Sequence, residues 1–379
     1  MVALGRALQE AGHEVAFATE RRFCHRAERA GFRSFAAGIG PGRVLEGTLA
    51  LPDAASPEDA WRFGAQMFAA VAAPAKVPDL VMVLERWHPD LVVHDVTDFA
   101  GPVAAARAGV RSVAHGLGPL FPIEFFRHGA DLVAPLWREW GVTPGPLGGM
   151  FASGYLDICP PSLQSPTIDD IGPVAHPLRP VPFDALPGDS LPAWADGLGP
   201  RPAVYVTLGT LDNHAPGVLE AAVAGLRDEP VELIVTVGPD RDPAELGPQP
   251  PHVHVEPYVP QSLLFPHCDA VVTHGGSGTV LAALAHGLPL LLLPQGANQF
   301  WNAERCAEVG VGLRLLPHDV GPEAVRRVVR ALLACGSYRH AAARVAAEMA
   351  ALPGPEERVG LLEDLARAGP VTPPAAAER

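Results

Sequence analysis

Short apolar runs alternate with helical repeats along most of the chain. In the C-terminal half, the apolar runs predict strands at residues 203–208, 231–237, 252–255, 270–273 and 289–293. In the N-terminal half they predict strands at 13–19 and 91–94, each preceded by a segment with helical spacing. Strands that alternate with helices are typical of parallel sheets covered on both faces. The pattern therefore predicts an α/β fold with two doubly wound, Rossmann-like domains.

Prolines and glycines crowd together between residues 173 and 202. Such a density does not fit helices or central strands. We therefore predict a linker at residues 181–202, between an N-terminal domain, 1–180, and a C-terminal domain, 203–379. Because ligands bind such sheets beyond the carboxyl ends of the strands, we expect the two domains to face each other across a cleft that holds the site.

The composition is that of an ordinary soluble protein, with 379 residues, 48% hydrophobic and 18% charged. No uninterrupted apolar run approaches the ~18–20 residues that span a bilayer, and the first residues lack the features of a signal peptide. We therefore expect a cytoplasmic protein without stable membrane association. A net charge of −14 argues against nucleic acid as a partner. It does not exclude an anionic ligand in a closed site, where local donors decide.

Neither the cysteines nor the acidic residues indicate a metal centre. The five cysteines are scattered and form no Cys-x-x-Cys pair, which argues against disulfides and zinc. Asp240-Arg241-Asp242 has the spacing of an Asp-x-Asp metal motif, but the prolines around it predict a surface turn. Two loop carboxylates without a third ligand bind a cation poorly. We therefore predict no metal and no cofactor.

A glycine turn, His274-Gly275-Gly276-Ser277-Gly278-Thr279, follows the apolar run at 270–273 and precedes a helical repeat. Glycines between a strand and a helix let backbone N–H groups approach an anion, and the helix terminus adds partial positive charge. The turn has no lysine of a Walker loop, and Leu281 stands where a dinucleotide motif has its third glycine. It predicts a phosphate site of another kind, with a plain connecting turn as the alternative.

This turn opens a longer string that continues through Gly287-x-Pro289 and Pro294 to Gln299-x-x-Asn302. The string closely resembles the donor-site signature of inverting nucleotide-sugar-dependent glycosyltransferases. That family includes plant and bacterial natural-product enzymes, especially actinomycete enzymes that glycosylate macrolides and other secondary metabolites. Residues 204–210 and 258–261 resemble its first donor-domain strand and its base-binding segment. The resemblance implies a GT-B fold, a UDP- or dTDP-sugar donor, and transfer with inversion and without metal.

The resemblance also implies the residues that bind the donor. His274, the glycine turn and Thr210 would contact the diphosphate, and Tyr258 would stack on the base, with a core aromatic as the alternative. Asn298-Gln299 stands where the family usually has an acid followed by glutamine. Because an amide can donate as well as accept, this weakens the case for a fully hydroxylated hexose and leaves room for a deoxy- or amino-sugar. The donor-binding set is Thr210, Tyr258, Val259, Gln261, His274, Gly275, Gly276, Ser277, Gly278, Thr279, Asn298 and Gln299.

Asp95 follows the predicted strand at 91–94, where active-site residues of such sheets lie. It resembles the carboxylate that orients the catalytic histidine of the family, as an acid holds the imidazole of a catalytic triad. It is the catalytic residue that the resemblance implies. The alternative is a helix cap, a role for which Asp98 is better placed.

The first residues have helical spacing, with Leu4, Leu8 and Ala11 on one face and Gly12 as a stop. A parallel sheet normally supplies a strand before such a helix, and in the resembling family that strand leads to a Gly-His pair that carries the catalytic base. We therefore expect the first N-terminal strand to be missing. Three explanations are open: a truncated chain, a start assigned too far downstream, or a base that is absent.

The partners expected from these patterns are a nucleotide sugar and an apolar natural product that offers a hydroxyl group. A non-catalytic, nucleotide-binding homologue that lacks the base is the alternative, and a lipid-linked acceptor is a third. The aromatic residues of the N-terminal half suit either a large apolar acceptor or a hydrophobic core. They are Trp61, Phe63, Phe68, Phe121, Phe125 and Phe126.

Overall fold

The computed structural model describes residues 1–40, 42, 44, 57–186, 188–209, 217–238 and 241–369. The chain divides into two compact units. Unit 1 comprises Met1–Ile158, Ser165–Leu178 and the residues from Pro353 onward, and unit 2 comprises Cys159–Gln164 and Arg179–Leu352. The predicted domains, 1–180 and 203–379, differ from these units chiefly at the C-terminal end, which groups with unit 1.

The strands of unit 1 are all parallel and lie in two sheets. They are β1 (Ala16–Thr19), β2 (Arg33–Ala36), β3 (Leu91–Asp95), β4 (Arg111–His115), β5 (Tyr155–Asp157) and β6 (Ala175–Pro177). One sheet contains β1 and β2, and the other has the order β3-β4-β5-β6. Within the described part of the chain, β1 is paired on one edge only, with β2, and β3 on one edge only, with β4. Each of these two strands therefore keeps an open edge.

The α-helices that the structure describes in unit 1 are α1 (Val2–Glu10), α2 (Arg21–Arg29), α3 (Pro57–Ala65), α4 (Ala73–Trp87), α5 (Ala100–Ala108), α6 (Ile123–Glu139) and, late in the chain, α13 (Val359–Arg367). All of them except α2 bury apolar residues. The predicted opening helix is confirmed as α1, whose Leu4 is buried. Helix α13 packs on α1 and β3, and Leu362 joins Leu4 in one apolar cluster. This burial draws the C-terminal segment into unit 1.

A continuous helix runs from Asp59 to Trp87 through α3, a π-helical segment at Gln66–Ala72, and α4. By length and composition alone it could cross a membrane, because an 18-residue window reaches a mean hydropathy of 1.6. The sequence contains no uninterrupted apolar run of that length, so the helix was not expected to meet this criterion. One third of that window (33%) is buried inside the protein. The buried residues, such as Ala69, Val77 and Leu84, belong to the core of unit 1.

Unit 2 contains one parallel sheet of six strands. They are β7 (Ala203–Thr207), β8 (Glu232–Thr236), β9 (Val253–Glu256), β10 (Ala270–Thr273), β11 (Leu290–Leu292) and β12 (Gly312–Arg314), in the order β12-β11-β10-β7-β8-β9. The first five were predicted, and their continuous apolar runs reflect burial on both faces. All residues of β7, β10 and β11 are buried. The order makes β10 and β7 direct neighbours, so the loops that follow them emerge side by side.

Helices cover both faces of this sheet. They are α7 (Val218–Leu226), α8 (Gln261–Leu264), α9 (Ser277–Ala285), α10 (Gln299–Val309), α11 (Pro322–Ala334) and α12 (Gly336–Ala351). Helices α7 and α11 pack together over one face, in a core with Val204, Val235 and Leu291. Helix α9 follows β10 directly, after three intervening residues. The phosphate-binding turn predicted from the sequence therefore joins a strand to a helix.

The predicted linker, 181–202, packs on unit 2. The Trp194 ring stacks on His254 with centroids 4.4 Å apart, and its indole N–H donates to Glu256 at 2.8 Å. His254 and Glu256 belong to the edge strand β9. Because His254 and Glu256 are two residues apart on one strand, Trp194 packs on one face of the sheet at β9. Asp184 contacts the base-binding segment further on, as described below.

Candidate active site

His274 lies between the backbones of two glycines of unit 2. A Cβ atom built on Gly209 would lie 2.6 Å from the imidazole Cε1, and one built on Gly276 would lie 2.6 Å from Nε2. The ring therefore fits only because neither residue has a side chain. Burial lowers the pKa of His274 to about 4. The imidazole is neutral near pH 7 and can offer a single N–H to a ligand.

The N-terminus of α9 presents, beside this ring, backbone donors that have no acceptor among the residues that the structure describes. Gly276 is the N-cap residue, and the first bond of the helix runs from the N–H of Val280 to the Gly276 carbonyl at 3.0 Å. The N–H groups of Ser277, Gly278 and Thr279 therefore precede the helical ladder and have no acceptor within it. Such a cluster of donors, with the helix dipole behind it, favours an anion.

Two asparagines hold the turn from the following segment. The Asn298 side chain donates to the Ser277 hydroxyl at 2.8 Å, and the Asn302 side chain donates to the same hydroxyl at 3.0 Å and to the Gly275 carbonyl at 2.8 Å. Asn302 is 1% exposed. Its place in the string was noted in the sequence, but its contact with the turn was not predicted because the two lie 25 residues or more apart.

Gln299 is buried and holds its own loop. Its side-chain oxygen accepts the N–H of Gln295 at 2.7 Å and that of Gly296 at 3.1 Å. The carbonyl end of the amide is therefore occupied, which leaves the NH2 end for a sugar hydroxyl. Ala297, in the same loop, has a φ of 49°, a conformation that is costly for a residue with a side chain. Sugar binding by Asn298 and Gln299 remains a prediction.

The predicted base-binding segment has one exposed and one buried residue. Tyr258 is 48% exposed, so its ring does not plug the core, and its hydroxyl donates to the Asp184 carbonyl at 2.6 Å. Val259 is 1% exposed as a whole residue, so almost none of its surface is open to a ligand, and its role in donor binding stays a prediction. The Gln261 side chain donates to the Thr279 hydroxyl at 3.2 Å and thus joins this segment to the start of α9.

Two residues of the sequence predictions, Thr210 and Asp240, lie outside the described residues. In the remainder of the Asp-x-Asp motif, the Asp242 side chain accepts the N–H of Ala244 at 2.9 Å and forms a capping box with Glu245. Arg241 pairs with Glu220 at 2.9 Å. Among the residues whose positions are described, no group of three or more His, Cys, Asp or Glu side chains could hold a metal ion.

Asp95, in unit 1, ends β3 at the carboxyl edge of its sheet. Its Oδ1 atom accepts the backbone N–H of Thr97 at 2.9 Å and the Thr97 hydroxyl at 2.6 Å. Oδ2 has no hydrogen-bond partner in the part of the chain that the structure describes. Oδ1 thus fixes the orientation of the carboxylate, and Oδ2 is available to accept a hydrogen bond or a proton. Helix α1 begins beside this carboxylate, whose charge acts on the α-amino group of Met1.

His115 pairs with Asp95 in the register of β3 and β4, but it is tied up in other contacts. Because the Gly116 carbonyl can only accept, the contact of 2.7 Å shows that Nδ1 carries the proton. Nε2 faces the α-amino group of Met1 at 3.1 Å. Burial, and then the nearby ammonium, lower the pKa of His115 to about 3. Because this pKa is so low, the His115 imidazole is a weak base near pH 7.

Asp98 lies one residue before Phe99, the N-cap residue of α5, and its Oδ1 accepts the N–H of Ala100, the first residue of the helix, at 3.0 Å. Its Oδ2 accepts from Lys76, the only lysine of the chain, at 2.6 Å. Burial opposes ionisation, but the charge and hydrogen bond of Lys76 hold the pKa of Asp98 below its usual range. This ion pair fixes the end of the loop that carries Asp95.

The aromatic residues of unit 1 divide into two groups. Phe125 and Phe126 are 1% and 0% exposed and belong to the core. The others are partly buried: Trp61, Phe63, Phe68 and Phe121. Phe121 stacks on Phe125 at 4.8 Å, so this second group extends the core outward. The partly buried group can still offer surface to an apolar ligand.

Comparisons with known proteins agree with this geometry. Residues 53–209 match the N-terminal domain of the erythromycin biosynthesis protein CIII-like family, and residues 221–365 match its C-terminal domain. L-demethylnoviosyl transferase of Streptomyces niveus is 32% identical over 363 residues, which cover 94% of this chain and 91% of that protein. The chain belongs to this CIII-like family.

Two solved structures are similar over almost all of the CIII-like chain. The glycosyltransferase VinC in complex with dTDP has a TM-score of 0.81 and 27% identity, covering 97% of this chain and 96% of its own. The spinosyn rhamnosyltransferase SpnG, complexed with spinosyn aglycone, has a TM-score of 0.80 and 28% identity, covering 96% and 95%. The predicted GT-B fold is confirmed, and the protein is a natural-product glycosyltransferase of the actinomycete type.

Proposed function

We propose that this CIII-like enzyme transfers a deoxy- or amino-sugar from a dTDP-sugar to a hydroxyl group of an apolar natural product, with inversion and without metal. The observation that carries the proposal is the neutral His274 ring, fitted between Gly209 and Gly276 at the open N-terminus of α9. This arrangement gathers an imidazole N–H and backbone N–H groups around one point. It would stabilise the negative charge that develops on the departing diphosphate.

Two further features support the choice of substrates. Asn298, in place of the usual acid, would donate as well as accept, which suits a sugar with fewer hydroxyl groups or with an amino group. The dTDP complex of VinC and the aglycone complex of SpnG support a thymidine nucleotide and an apolar acceptor. Trp61, Phe68 and Phe121 supply partly buried aromatic surface for that acceptor in unit 1.

For the proton of the acceptor hydroxyl, we propose Asp95 as the catalytic carboxylate. Thr97 holds Oδ1, so Oδ2 keeps a fixed direction and a free lone pair. The carboxylate would accept the proton directly or hold a base that does, while the hydroxyl oxygen attacks the anomeric carbon. Attack from the face opposite the diphosphate inverts that carbon, and the leaving group departs toward the donors of α9.

The function is tested with purified enzyme, a panel of dTDP-sugars and a panel of polyketide aglycones. We expect dTDP binding by calorimetry, a glycoside by mass spectrometry, and an anomeric configuration opposite to that of the donor by NMR. Asp95→Asn should abolish turnover and leave dTDP affinity within about twofold of wild type, because Asp95 lies outside unit 2. Absence of dTDP binding would refute the donor assignment, and full turnover by Asp95→Asn would refute the catalytic one.

A further inference from the structure

Beneath the donor-binding loops, the three central strands of unit 2 each end in threonine. These residues are Thr273 of β10, Thr207 of β7 and Thr236 of β8, and they face each other in register. The Thr207 hydroxyl accepts the N–H of Gly209 at 3.2 Å, and the Thr273 hydroxyl accepts the N–H of Gly275 at 3.3 Å. Thr207 and Thr273 thus hold the first residues of the two loops that enclose His274.

Tyr205 lies two residues before Thr207 on β7 and is 1% exposed. Its hydroxyl lies 2.6 Å from the Thr236 hydroxyl, which donates to Thr207 at 3.0 Å. A threonine has one hydroxyl proton, and that of Thr236 is used toward Thr207. The phenol must therefore be the donor to Thr236. A directed chain of hydrogen bonds leads from Tyr205 to the loop of Gly209.

The ring of Tyr205 contacts the stretch that follows the base-binding residues. It meets Phe265, which directly follows α8 (Gln261–Leu264), edge-on at 5.7 Å, and the Gln261 side chain donates to Thr279 at 3.2 Å. Burial raises the pKa of Tyr205, so the phenol keeps its proton near neutral pH. Tyr205 therefore links this segment, through its ring, to the loop of Gly209, through its hydroxyl.

We propose that Tyr205 is a positioning residue that sets the distance between the nucleotide-base segment and the diphosphate loops. This inference rests on the proposed function and goes beyond it. The packing role of the ring needs only phenylalanine, because the ring meets Phe265 edge-on at 5.7 Å. The hydroxyl adds the connection to the loop of Gly209, through Thr236 and Thr207. A ligand that spans both subsites gains from a fixed spacing, since less ordering remains for binding to supply.

The test is Tyr205→Phe, which removes only the hydroxyl. The measured quantity is the ratio of the dissociation constant of thymidine to that of dTDP, which reports how much the diphosphate adds to binding. We expect this ratio to fall about five- to tenfold, as for the loss of one or two hydrogen bonds, with thymidine affinity changed less than about twofold. Thr236→Val breaks the chain one link further on and should give the same fall.

Two controls separate positioning from general destabilisation. Tyr155→Phe removes another buried tyrosine hydroxyl, in unit 1, and should leave the ratio unchanged. The double variant Tyr205→Phe/Thr236→Val should be no worse than either single variant, because both break one chain. A ratio within twofold of wild type in folded Tyr205→Phe or, if that variant does not fold, in Thr236→Val would overturn the inference. Wild-type protein that does not bind dTDP would refute the proposed function, and this inference with it.

Discussion

The imidazole of His274 rests on the backbone of Gly209, so close that a Cβ atom on Gly209 would lie 2.6 Å from Cε1. Gly209 follows β7 and His274 follows β10, two strands that are neighbours in the sheet. The pair shows how sheet order creates the donor site. Two loops that are 65 residues apart in sequence meet because their strands are adjacent.

This contact makes Gly209→Ala a sharp test of the site. The added methyl group should displace His274 and lower dTDP affinity about tenfold or more, a cost of roughly 1.4 kcal/mol. Gly209 has a φ of +84°, so backbone strain of about 1–3 kcal/mol is expected as well. Calorimetric titration with dTDP measures the affinity, and thermal unfolding measures the strain.

Gly217→Ala is the matched control. Its φ is +78°, and no heavy atom of the described residues lies within 4 Å of an added Cβ. It should lose similar stability and keep its dTDP affinity. Gly276→Ala provides the complementary case, because its Cβ would meet Nε2 of His274 at 2.6 Å while its φ is −61°. Equal affinities in the Gly209 and Gly217 variants would contradict the proposed fit of His274.

The lowered pKa of His274 predicts that unit 2 becomes less stable at acidic pH. Burial lowers this pKa from 6.5 to about 4, so the unfolded chain binds the proton more readily than the folded one. The contribution of neutral His274 to the unfolding free energy is complete above pH 6.5 and is lost as the pH falls through the folded pKa near 4. The shift corresponds to about 3 kcal/mol.

His274→Gln removes this titration. Between pH 7.5 and pH 4.5, urea denaturation should show that wild type loses about 2–3 kcal/mol more unfolding free energy than the variant. His115, whose pKa is lowered to about 3, acts in the same direction in both proteins and cancels in the comparison. Parallel losses in the two proteins would mean that His274 is not desolvated.

The sequence predicted the strands of unit 2 well, because strands buried on both faces appear as continuous apolar runs. It missed β2, with the sequence Arg-Ser-Phe-Ala, β4, with the sequence Arg-Ser-Val-Ala-His, and the three-residue strands β5, β6 and β12. Short or partly exposed strands carry too few apolar residues to stand out. The sequence also does not show that the residues after Pro353 belong to unit 1, because this depends on the packing of Leu362 with Leu4, which is far away in sequence.

In the site, the glycine turn was found because its residues are contiguous and their chemistry is local. Asn302, Thr207 and Thr236 contribute through contacts made by folding, and in sequence they are ordinary helix and strand residues. Asp184 is a similar case, because its carboxylate accepts the N–H of Ser262 from a distance of 78 residues. Sheet order and register bring such groups together, and neither can be predicted from a single segment of the sequence.

Gln299 offers a test that separates loop structure from sugar binding. Gln299→Glu keeps an oxygen to accept the N–H groups of Gln295 and Gly296, but it loses the NH2 group. We expect dTDP affinity within about twofold of wild type and a KM for the dTDP-sugar raised about tenfold, as for the loss of one hydrogen bond or slightly more. Gln299→Ala should weaken both, because the loop loses its buried acceptor. A normal KM in Gln299→Glu would remove this residue from the sugar site.

Metal independence predicts that chelation leaves the reaction unchanged. The donors of α9 and His274 would carry the electrostatic role that a divalent ion has in other transferases. Activity in excess EDTA should stay within about twofold of the untreated enzyme, and added magnesium or manganese should not stimulate it. Asp242→Asn serves as the companion variant, since the Asp242 side chain already caps a turn. Loss of activity in EDTA that magnesium restores would contradict the prediction.

The open edge of β3 predicts the effect of one added strand. Helix α1 begins beside Asp95, so a strand that leads into it would end next to that carboxylate. An N-terminal extension of five apolar residues followed by Gly-His should pair with the open edge of β3 and bring an imidazole to Asp95. We expect a higher melting temperature for unit 1, because open backbone groups become paired. Turnover should rise on the order of 10²–10⁴-fold, as expected for a general base.

The matched control is the same extension ending in Gly-Ala. It should raise the melting temperature equally and leave turnover unchanged, because it supplies the strand without the base. Asp95→Asn in the Gly-His protein should then cancel most of the gain, since the imidazole would lose the carboxylate that orients it. Equal turnover by the two extensions, or an unextended chain that already reaches the 1–10³ s⁻¹ typical of enzymes, would place the base within residues 1–379. Asp95, with Oδ2 free, would then act on the acceptor directly.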